Sequence, residues 1–369
     1  MRIMNNALLA GGAFLLSRQI ARRVAPADLR GQVALVTGGS RGLGLLISRE
    51  LQRAGCTVTI CARDEAELER ARHMLTASGG HVEAVVCDVA DEAQVGRLIE
   101  QITRRLGRID ILVNNAGVIQ VGPLANQQIS DFRQAMDITY WGVVYATLAV
   151  LPQMRARGAG RIVNVTSIGG KVSVPHLLPY SSAKFAAVGF SEGLAAEVAQ
   201  DGITVTTIVP GLMRTGSHLH AVTKGNHEAE YGWFSLGASL PVISMDAEQA
   251  ARQIVTAIRC GESVRFLGIT AALAARFHGL FPGTTVELLG LVNRLLPASD
   301  RRSSSARPGY QARQRLDSRL IEFATTLGRR AAERFNETIP TAQERRLSDR
   351  PDGGALRRRI HAVSRNGGS

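Results

Sequence analysis

Tyr180 and Lys184 lie four residues apart, and Ser167 lies thirteen positions upstream of Tyr180. If this segment is helical, residues four apart share one face, so the Lys184 ammonium would lie near the Tyr180 phenol. A free phenol has a pKa of about 10, and a neighbouring cation lowers that value. Tyr180 could then exchange a proton with a ketone or alcohol oxygen near neutral pH, while Ser167 donates a hydrogen bond to the same oxygen. The spacing predicts acid–base chemistry at a carbonyl or alcohol group.

A glycine-rich turn near the start of the chain supplies the context for this trio, because Tyr-x-x-x-Lys alone also occurs in ordinary amphipathic helices. Residues 32–37 (QVALVT) predict a short buried strand, residues 38–44 (GGSRGLG) form the turn, and a helical pattern follows. Glycines allow a tight turn and a close approach of backbone N–H groups and of the helix N-terminus to a pyrophosphate. We predict a dinucleotide site; an ordinary flexible turn is the alternative.

Strand-like and helix-like patterns continue to alternate after this turn. The alternation predicts an α/β fold with a doubly wound parallel sheet of the Rossmann type and helices on both faces. Asn114-Asn115-Ala116-Gly117 ends one strand, where a cofactor could lie against backbone. The further strands are predicted at 57–62, 82–86, 109–113, 161–166 and 204–209, and helices at 64–77, 91–106 and 180–200.

These motifs, together with Pro210-Gly211, resemble in order and spacing those of the classical short-chain dehydrogenase/reductases, over about residues 31–268. The resemblance implies a nicotinamide cofactor and hydride transfer at a carbonyl or alcohol carbon. It implies that Tyr180 is the acid/base, that Ser167 binds the substrate oxygen, and that Lys184 both lowers the pKa of Tyr180 and binds the nicotinamide ribose. The cofactor-binding residues that it implies are Gly38, Ser40, Arg41, Gly42, Leu43, Gly44, Arg63, Asp88, Val89, Asn115, Ala116, Gly117, Tyr180, Lys184, Pro210, Gly211 and Thr215.

One position departs from the family pattern. The family usually carries an Asn three residues before a Gly in the helix that follows Asn-Asn-Ala-Gly, and here that residue is Thr139. In the family the Asn helps hold a water that relays protons to the lysine. We include Thr139 among the candidate catalytic residues, and the change affects the expected rate more than the reaction type.

The end of the second predicted strand favours NADP(H) over NAD(H). An NAD enzyme places a carboxylate there for the ribose 2′-hydroxyl, but this position is Ala62, followed by Arg63. Arg41 lies inside the glycine turn, and two guanidinium groups suit a 2′-phosphate. The alternative is that both arginines are solvated and Asp64 binds the ribose. The resemblance assigns Asp88 to the adenine.

The segment from Leu212 to Met245 is rich in aromatic and aliphatic residues and predicts a lipophilic substrate pocket. It is long enough to be a mobile lid. His218 and His220 could pass for a metal pair, but no carboxylate or cysteine cluster accompanies them, so we predict no metal site.

The composition and the sequence patterns divide the chain into four parts. Residues 1–30 contain an arginine-flanked apolar run, residues 7–16, which is too short to span a bilayer. This segment predicts either an interfacial membrane anchor or a helix on the protein's own surface. Residues 31–270 form the catalytic domain, and residues 271–298 a hydrophobic helical extension. Residues 299–369 form an arginine-rich tail that predicts a largely disordered segment around one helix-like piece, residues 313–335.

The chain carries a formal net charge of +13 and four cysteines without metal or redox spacing. We expect a reducing, cytoplasmic setting with a possible membrane surface as partner, and a homo-oligomer by resemblance. Nucleic-acid binding rests on the charge of the tail alone. The leading hypothesis is an NADP(H)-dependent oxidoreductase for a lipophilic carbonyl or alcohol; the alternative is a cofactor-binding sensor or scaffold with little turnover.

Overall fold

The computed structural model describes residues 26–77, 79–241, 243–299, 305–316 and 324–337. The strands in this part of the chain are β1 (Val33–Thr37), β2 (Thr57–Ala62), β3 (Val82–Val86), β4 (Ile111–Asn114), β5 (Gln120–Val121), β6 (Gly160–Val165), β7 (Ile203–Pro210), β8 (Leu212–Arg214), β9 (Val222–Thr223), β10 (Ser244–Asp246), β11 (Val264–Leu267) and β12 (Arg307–Pro308).

Helices connect the strands in the alternation that the sequence predicts. Those described are α1 (Gly42–Arg53), α2 (Glu65–Thr76), α3 (Glu92–Leu106), α4 (Ile129–Met136), α5 (Gly142–Arg157), α6 (Leu178–Glu197), α7 (His227–Ser239), α8 (Ala247–Cys260), α9 (Ile269–Leu280), α10 (Pro282–Asn293), α11 (Gly309–Gln314) and α12 (Thr326–Arg334). A π-helical turn, Asp137–Trp141, joins α4 to α5.

Seven parallel strands form the main sheet in the order β3-β2-β1-β4-β6-β7-β11. All five residues of β1 are buried, because helices cover both faces of the sheet. One core cluster packs α1, α2 and α8 on one face, and a second packs α3, α5 and α6 on the other. The prediction of a doubly wound parallel sheet is confirmed. The order reverses between β1 and β4, and ligands bind at such switch points.

The apolar extension is helical, as predicted, and is largely exposed. Helices α9 and α10 form a pair whose large apolar side chains are mostly not covered by the rest of the described protein. The exposed members are Ile269, Leu273, Phe277, Leu280, Val286, Leu288, Leu291 and Val292, with Phe281 between the helices and Leu295 just after α10.

The largely disordered tail predicted after residue 299 is ordered in two stretches, and α12 lies within the helix-like piece predicted at 313–335. Residues 305–316 and 324–337 pack against the domain, and the compact unit extends to Glu337. Helix α12 contacts α7 and β8, and its buried residues include Ala331 and Ala332. Small apolar residues between the arginines form a narrow packing face. The composition of the segment does not indicate this face, because arginines dominate it. The rest of the predicted tail and the predicted N-terminal anchor, residues 1–25, lie outside the described residues.

One helical run in the described part of the chain, Ile129–Arg157, is long and apolar enough to cross a membrane. It comprises α4, the π turn and α5, and 56% of its most apolar window is buried inside the protein. This burial is typical of a core helix.

Candidate active site

The predicted catalytic trio converges at the carboxyl end of β6. Ser167 follows that strand, and Tyr180 and Lys184 lie in the first two turns of α6. The Lys184 Nζ lies 5.8 Å from the centroid of the Tyr180 ring and donates a hydrogen bond to the Val165 carbonyl at 2.8 Å. This contact with the strand backbone fixes the ammonium directly behind the phenol.

Burial changes the pKa values of both groups. It raises the pKa of the Tyr180 phenol above its ordinary value, and a hydrogen bond with Ser167 offsets part of the rise. It lowers the pKa of Lys184 to about 8. The structure shows no lowering of the Tyr180 pKa by Lys184, because desolvation of the phenol outweighs its hydrogen bond with Ser167.

Thr139 lies in the π turn that interrupts the α4–α5 run, a feature frequent at functional sites. Its hydroxyl is buried and has no hydrogen-bond partner among the described residues. A Cβ on Gly117 would lie 3.7 Å from both the Thr139 Oγ1 and the Lys184 Nζ. Both polar atoms therefore border the space beside Gly117, and the unpaired hydroxyl fits the proton relay that the resemblance implies there.

The glycine turn is held by the loop that follows β4. The Asn115 side-chain amide donates to the carbonyls of Thr37 and Gly38, at 3.1 and 3.0 Å. The Thr37 hydroxyl accepts from the backbone N–H groups of Asn115 and Ala116, at 3.0 and 3.2 Å. A Cβ on Gly44 would collide with the Gly38 carbonyl and the Asn115 amide. The turn therefore requires glycine there and forms a backbone cradle of the kind that a dinucleotide pyrophosphate fits.

The two predicted phosphate-binding arginines lie in different surroundings. Arg41 contacts the Glu67 carboxylate at 2.9 Å, and the Ser40 hydroxyl donates to the same carboxylate. Arg63 is exposed and lies with Asp88 at an open pocket of about 310 Å³. An incoming 2′-phosphate would have to displace Glu67 from Arg41 and Ser40, whereas Arg63 is accessible.

Asp64 and Asp88 each accept a hydrogen bond from a backbone N–H close by in the sequence. The Asp64 carboxylate caps α2 by accepting the Glu67 N–H at 2.8 Å, so it is already engaged. Asp88 accepts the Ala90 N–H at 3.1 Å and lines the open pocket. Next to it, Val89 is buried and lies where a Cβ on Gly142 would touch it.

Pro210, Gly211 and Thr215 lie at the carboxyl end of β7, beside the cradle. The Gly211 N–H donates to the Leu267 carbonyl at 3.1 Å. Thr215 is buried, and its Cβ lies 3.8 Å from the position of a Cβ on Gly42. Leu43, the second residue of α1, is also buried. The loop after β7 therefore faces the N-terminus of α1, as the resemblance implies.

The predicted substrate side is apolar near Tyr180. The Tyr180 ring packs against a cluster of Val121, Leu177, Ala221 and Phe234, with Trp233 nearby. Described residues contain no group of three or more histidines, cysteines or acidic residues that could hold a metal. His218 instead lies buried beside Tyr231, with ring centroids 5.9 Å apart.

A buried pair that the sequence did not predict lies in the same wall. His176 Nδ1 contacts the Glu230 carboxylate at 2.8 Å, and the Trp233 indole N–H donates to Glu230 at 2.7 Å. His176 takes a positive φ of 64°. The pair fixes α7 to the loop before α6 and so holds the wall in place.

The contact between residues 335–337 and the glycine turn was also not predicted from the sequence. The Gly42 N–H, at the start of α1, donates to the Phe335 carbonyl at 2.8 Å. Asn336 donates to the Ser40 carbonyl at 2.9 Å, and Glu337 lies within 3.4 Å of Arg41. No motif links positions nearly 300 residues apart, and only the fold brings them together.

Known proteins resemble this chain in both sequence and fold. A family model described as short chain dehydrogenase matches residues 32–224. A dehydrogenase/reductase SDR family protein 7-like of Anopheles gambiae is 39% identical over 200 residues, which cover 53% of this chain and 63% of that protein. A 3-oxoacyl-[acyl-carrier-protein] reductase of Synechocystis is 36% identical over 188 residues, 51% of this chain and 76% of that protein.

A crystal structure gives the same result for the fold. The gluconate 5-dehydrogenase of Burkholderia cenocepacia, in complex with NADP and tartrate, has a TM-score of 0.58 and 27% identity to this chain, covering 67% of it and 98% of the dehydrogenase. The family model spans β1 to β9, including the glycine turn and the Ser167, Tyr180 and Lys184 trio. The chain therefore belongs to the short-chain dehydrogenase family of oxidoreductases.

Proposed function

We propose that the protein is an NADP(H)-dependent oxidoreductase that transfers a hydride between the nicotinamide and the carbon of a lipophilic carbonyl or alcohol. The observation that carries the proposal is the convergence of Ser167, Tyr180 and Lys184 beside an apolar wall, with the glycine cradle at the adjoining switch point of the sheet. A bound nicotinamide would supply or accept the hydride.

The chain's own residues would handle the proton. In the reducing direction, Tyr180 gives its proton to the substrate oxygen as the carbon receives the hydride, and Ser167 donates a hydrogen bond that holds this oxygen. Lys184, below its pKa of about 8, carries a charge that stabilises the phenolate left behind. The partnerless hydroxyl of Thr139 lies where a relay could return the proton.

The preference for NADP(H) rests on charge. Arg41 and Arg63 flank the end of β2, where Ala62 replaces the acidic residue of NAD-dependent family members. The Asp64 carboxylate is engaged as a helix cap. The related gluconate dehydrogenase holds NADP. Glu67 opposes this preference, because it occupies Arg41 and Ser40, so a direct comparison of NADPH with NADH is the deciding measurement.

The test is oxidation of NADPH or NADH by the purified full chain with hydrophobic ketones, aldehydes and 3-oxoacyl thioesters. We expect turnover that prefers NADPH, lost at least a thousandfold in Tyr180→Phe with cofactor affinity unchanged. Tyr145→Phe, a partly buried tyrosine on α5, is the matched control and should keep activity. Turnover retained in Tyr180→Phe would refute the mechanism.

A second candidate function, a cofactor sensor or scaffold, is favoured by Thr139, which stands at the position of the family's Asn. It predicts cofactor binding with no reduction of any compound in the panel. A change in the protein's association state upon cofactor binding, measured by light scattering, would favour this candidate over a reductase whose substrate the panel lacks.

We propose a membrane surface as the partner of the α9–α10 pair. Leu273, Leu280 and Leu295 are 59%, 73% and 86% exposed, and the chain's net charge of +13 attracts anionic lipid head groups. The test is co-sedimentation with phosphatidylserine vesicles, which Leu280→Glu with Leu295→Glu should reduce. A homo-oligomer that buries the same side chains is the competing outcome, visible as a concentration-dependent mass without vesicles.

A further inference from the structure

Residues 324–337, hereafter the closing segment, cover the cradle in which the proposed function places the cofactor's phosphates. Helix α12 ends at Arg334, and the chain continues across the N-terminus of α1. The Gly42 N–H, which such a fold offers to a pyrophosphate, donates instead to the Phe335 carbonyl at 2.8 Å. One of the chain's own carbonyls thus uses a donor that a phosphate needs.

Asn336 anchors the segment on the turn. Its side-chain amide donates to the carbonyls of Ser40 and Glu67, at 2.9 and 3.0 Å, and its Oδ1 accepts from Arg70 at 3.2 Å. Its φ is 58°, a left-handed conformation that Asn tolerates better than most residues. This set of contacts specifies both the residue type and the place where the segment docks.

Glu337 puts a carboxylate at the phosphate position. A Cβ on Gly42 would lie 2.6 Å from its Oε1, and its Oε2 lies 3.4 Å from Arg41 Nε and 3.3 Å from His220 Nε2. Arg41 Nη1 contacts His220 Nδ1 at 3.2 Å. Because that arginine only donates, Nδ1 accepts, and the proton of neutral His220 lies on Nε2. The His220 Nε2 and the Glu337 Oε2 lie close together without a hydrogen bond between them. Arg41, His220 and the N-terminus of α1 therefore surround the Glu337 carboxyl group.

The backbone of the closing segment packs closely against the rest of the domain. A Cβ on Gly216 would lie 2.5 Å from Ala332 Cα, and a Cβ on Gly328 would collide with Ser239. Phe335 is 2% exposed and joins the core cluster that contains α1. Two glycines, one on each side of the contact, allow α12 to approach the loop after β7 and helix α7.

We propose that the closing segment is an autoinhibitory element that competes with the dinucleotide, with Glu337 in the place of a cofactor phosphate. The proposal rests on the proposed function, since it places the cofactor in that cradle. Binding then requires the segment to open, and the apparent affinity is reduced by the fraction of molecules that are closed. Any partner or surface that holds the segment open activates the enzyme.

Asn336→Ala is the variant that tests the competition. It removes three anchoring side-chain hydrogen bonds and disfavours the left-handed backbone, while every residue assigned to the cradle stays intact. We expect calorimetry to show NADP⁺ binding at least tenfold tighter than in the unaltered chain. Glu333→Ala, which changes an exposed carboxylate on the same segment, is the matched control and should stay within twofold.

Hydrogen exchange of the unaltered full chain gives the second readout. With saturating NADP⁺, peptides from 324–337 should exchange faster, because the segment leaves the turn. Exchange that slows on binding would show that the segment helps hold the cofactor, and it would overturn the proposal. Unchanged affinity in a folded Asn336→Ala would do the same.

The two proposals fail in different ways. If the unaltered chain and Asn336→Ala bind NADP⁺ equally well, competition is refuted and the cofactor assignment stands. If neither protein, folded by circular dichroism, binds NADP⁺ or NAD⁺, the proposed function is refuted, and the autoinhibition with it.

Discussion

The affinity for NADP⁺ should rise with pH between about 5 and 7, because opening of the closing segment releases Glu337 into water. Burial raises the pKa of Glu337 in the closed state from 4.5 to about 7, with Arg41 lowering it and Glu67 raising it. A carboxyl with a raised pKa holds its proton in the closed state and loses it on opening. The closed state is therefore most stable below about pH 4.5 and loses this advantage as pH rises through 7.

The size of the effect follows from the two pKa values. A shift from 4.5 to about 7 corresponds to about 3 kcal/mol, or up to roughly tenfold in the opening equilibrium for each pH unit inside the window. In the closed state, burial and Arg41 lower the pKa of His220 to about 3, so its ring is neutral throughout this window. The pKa of Arg41 is raised, so its guanidinium is charged.

Calorimetric titration with NADP⁺ at pH 5, 6, 7 and 8, in buffers of different ionisation enthalpy, counts the protons released. We expect close to one proton released per cofactor at pH 6 and almost none at pH 8, after subtraction of the signal from Glu337→Gln. The phosphates of NADP⁺ titrate in the same way with both proteins, so their contribution cancels in the subtraction. It should also bind more weakly than the unaltered chain at pH 8, because its neutral amide resembles the protonated closed state. An identical pH slope in both proteins would refute the reasoning.

Three further outcomes test the site. Asn164→Ala should lower the free energy of unfolding by about 1–3 kcal/mol in urea, because the buried amide of Asn114 and the hydroxyl of Ser191 each lose a partner at 2.9 Å; an unchanged midpoint would contradict this. Thr139→Val should leave stability equal or higher, since a partnerless buried hydroxyl is removed, and should reduce kcat with cofactor affinity unchanged; full kcat would remove Thr139 from the relay. Reductase turnover should decline above about pH 8 as Lys184 loses its proton, and a rate that stays flat to pH 10 would show that its charge is not needed.

Local pattern was enough to predict the sheet and the proximity of Tyr180 and Lys184. The apolar run of β1 is buried on both faces, and Tyr180 and Lys184 share one face of α6, so composition and period determine each of them. Position 139 was identified by its spacing of three residues before Gly142 in the sequence. The π turn around it was not predicted. The protons of the site were less predictable, because the pKa of Tyr180 depends on how deeply the phenol is buried.

The contacts made by the end of the chain could not be predicted. Glu337 lies in an arginine-rich stretch whose composition is typical of disorder, and its partners Arg41 and His220 lie far from it in sequence. Ala331 and Ala332 are too few to form a recognisable apolar period, and their burial depends on the bare backbone of Gly216. Complementarity of this kind exists only between surfaces that are already folded.

The hydrogen bond from Asn336 to Ser40 joins residues separated by 296 positions, and this separation sets an order of events during synthesis. Translation proceeds at about 5–20 residues per second, so the glycine turn leaves the ribosome roughly 15 to 60 seconds before its cover has been made. Once the strands between them have folded, the nascent domain presents an uncovered cradle to the surrounding pool of nucleotides. A dinucleotide that binds in this interval meets no competitor, whereas one that arrives after residue 337 has docked must wait for the segment to open. Two populations with different histories, one holding cofactor from synthesis and one closed over an empty cradle, would then coexist and exchange at the rate of that opening.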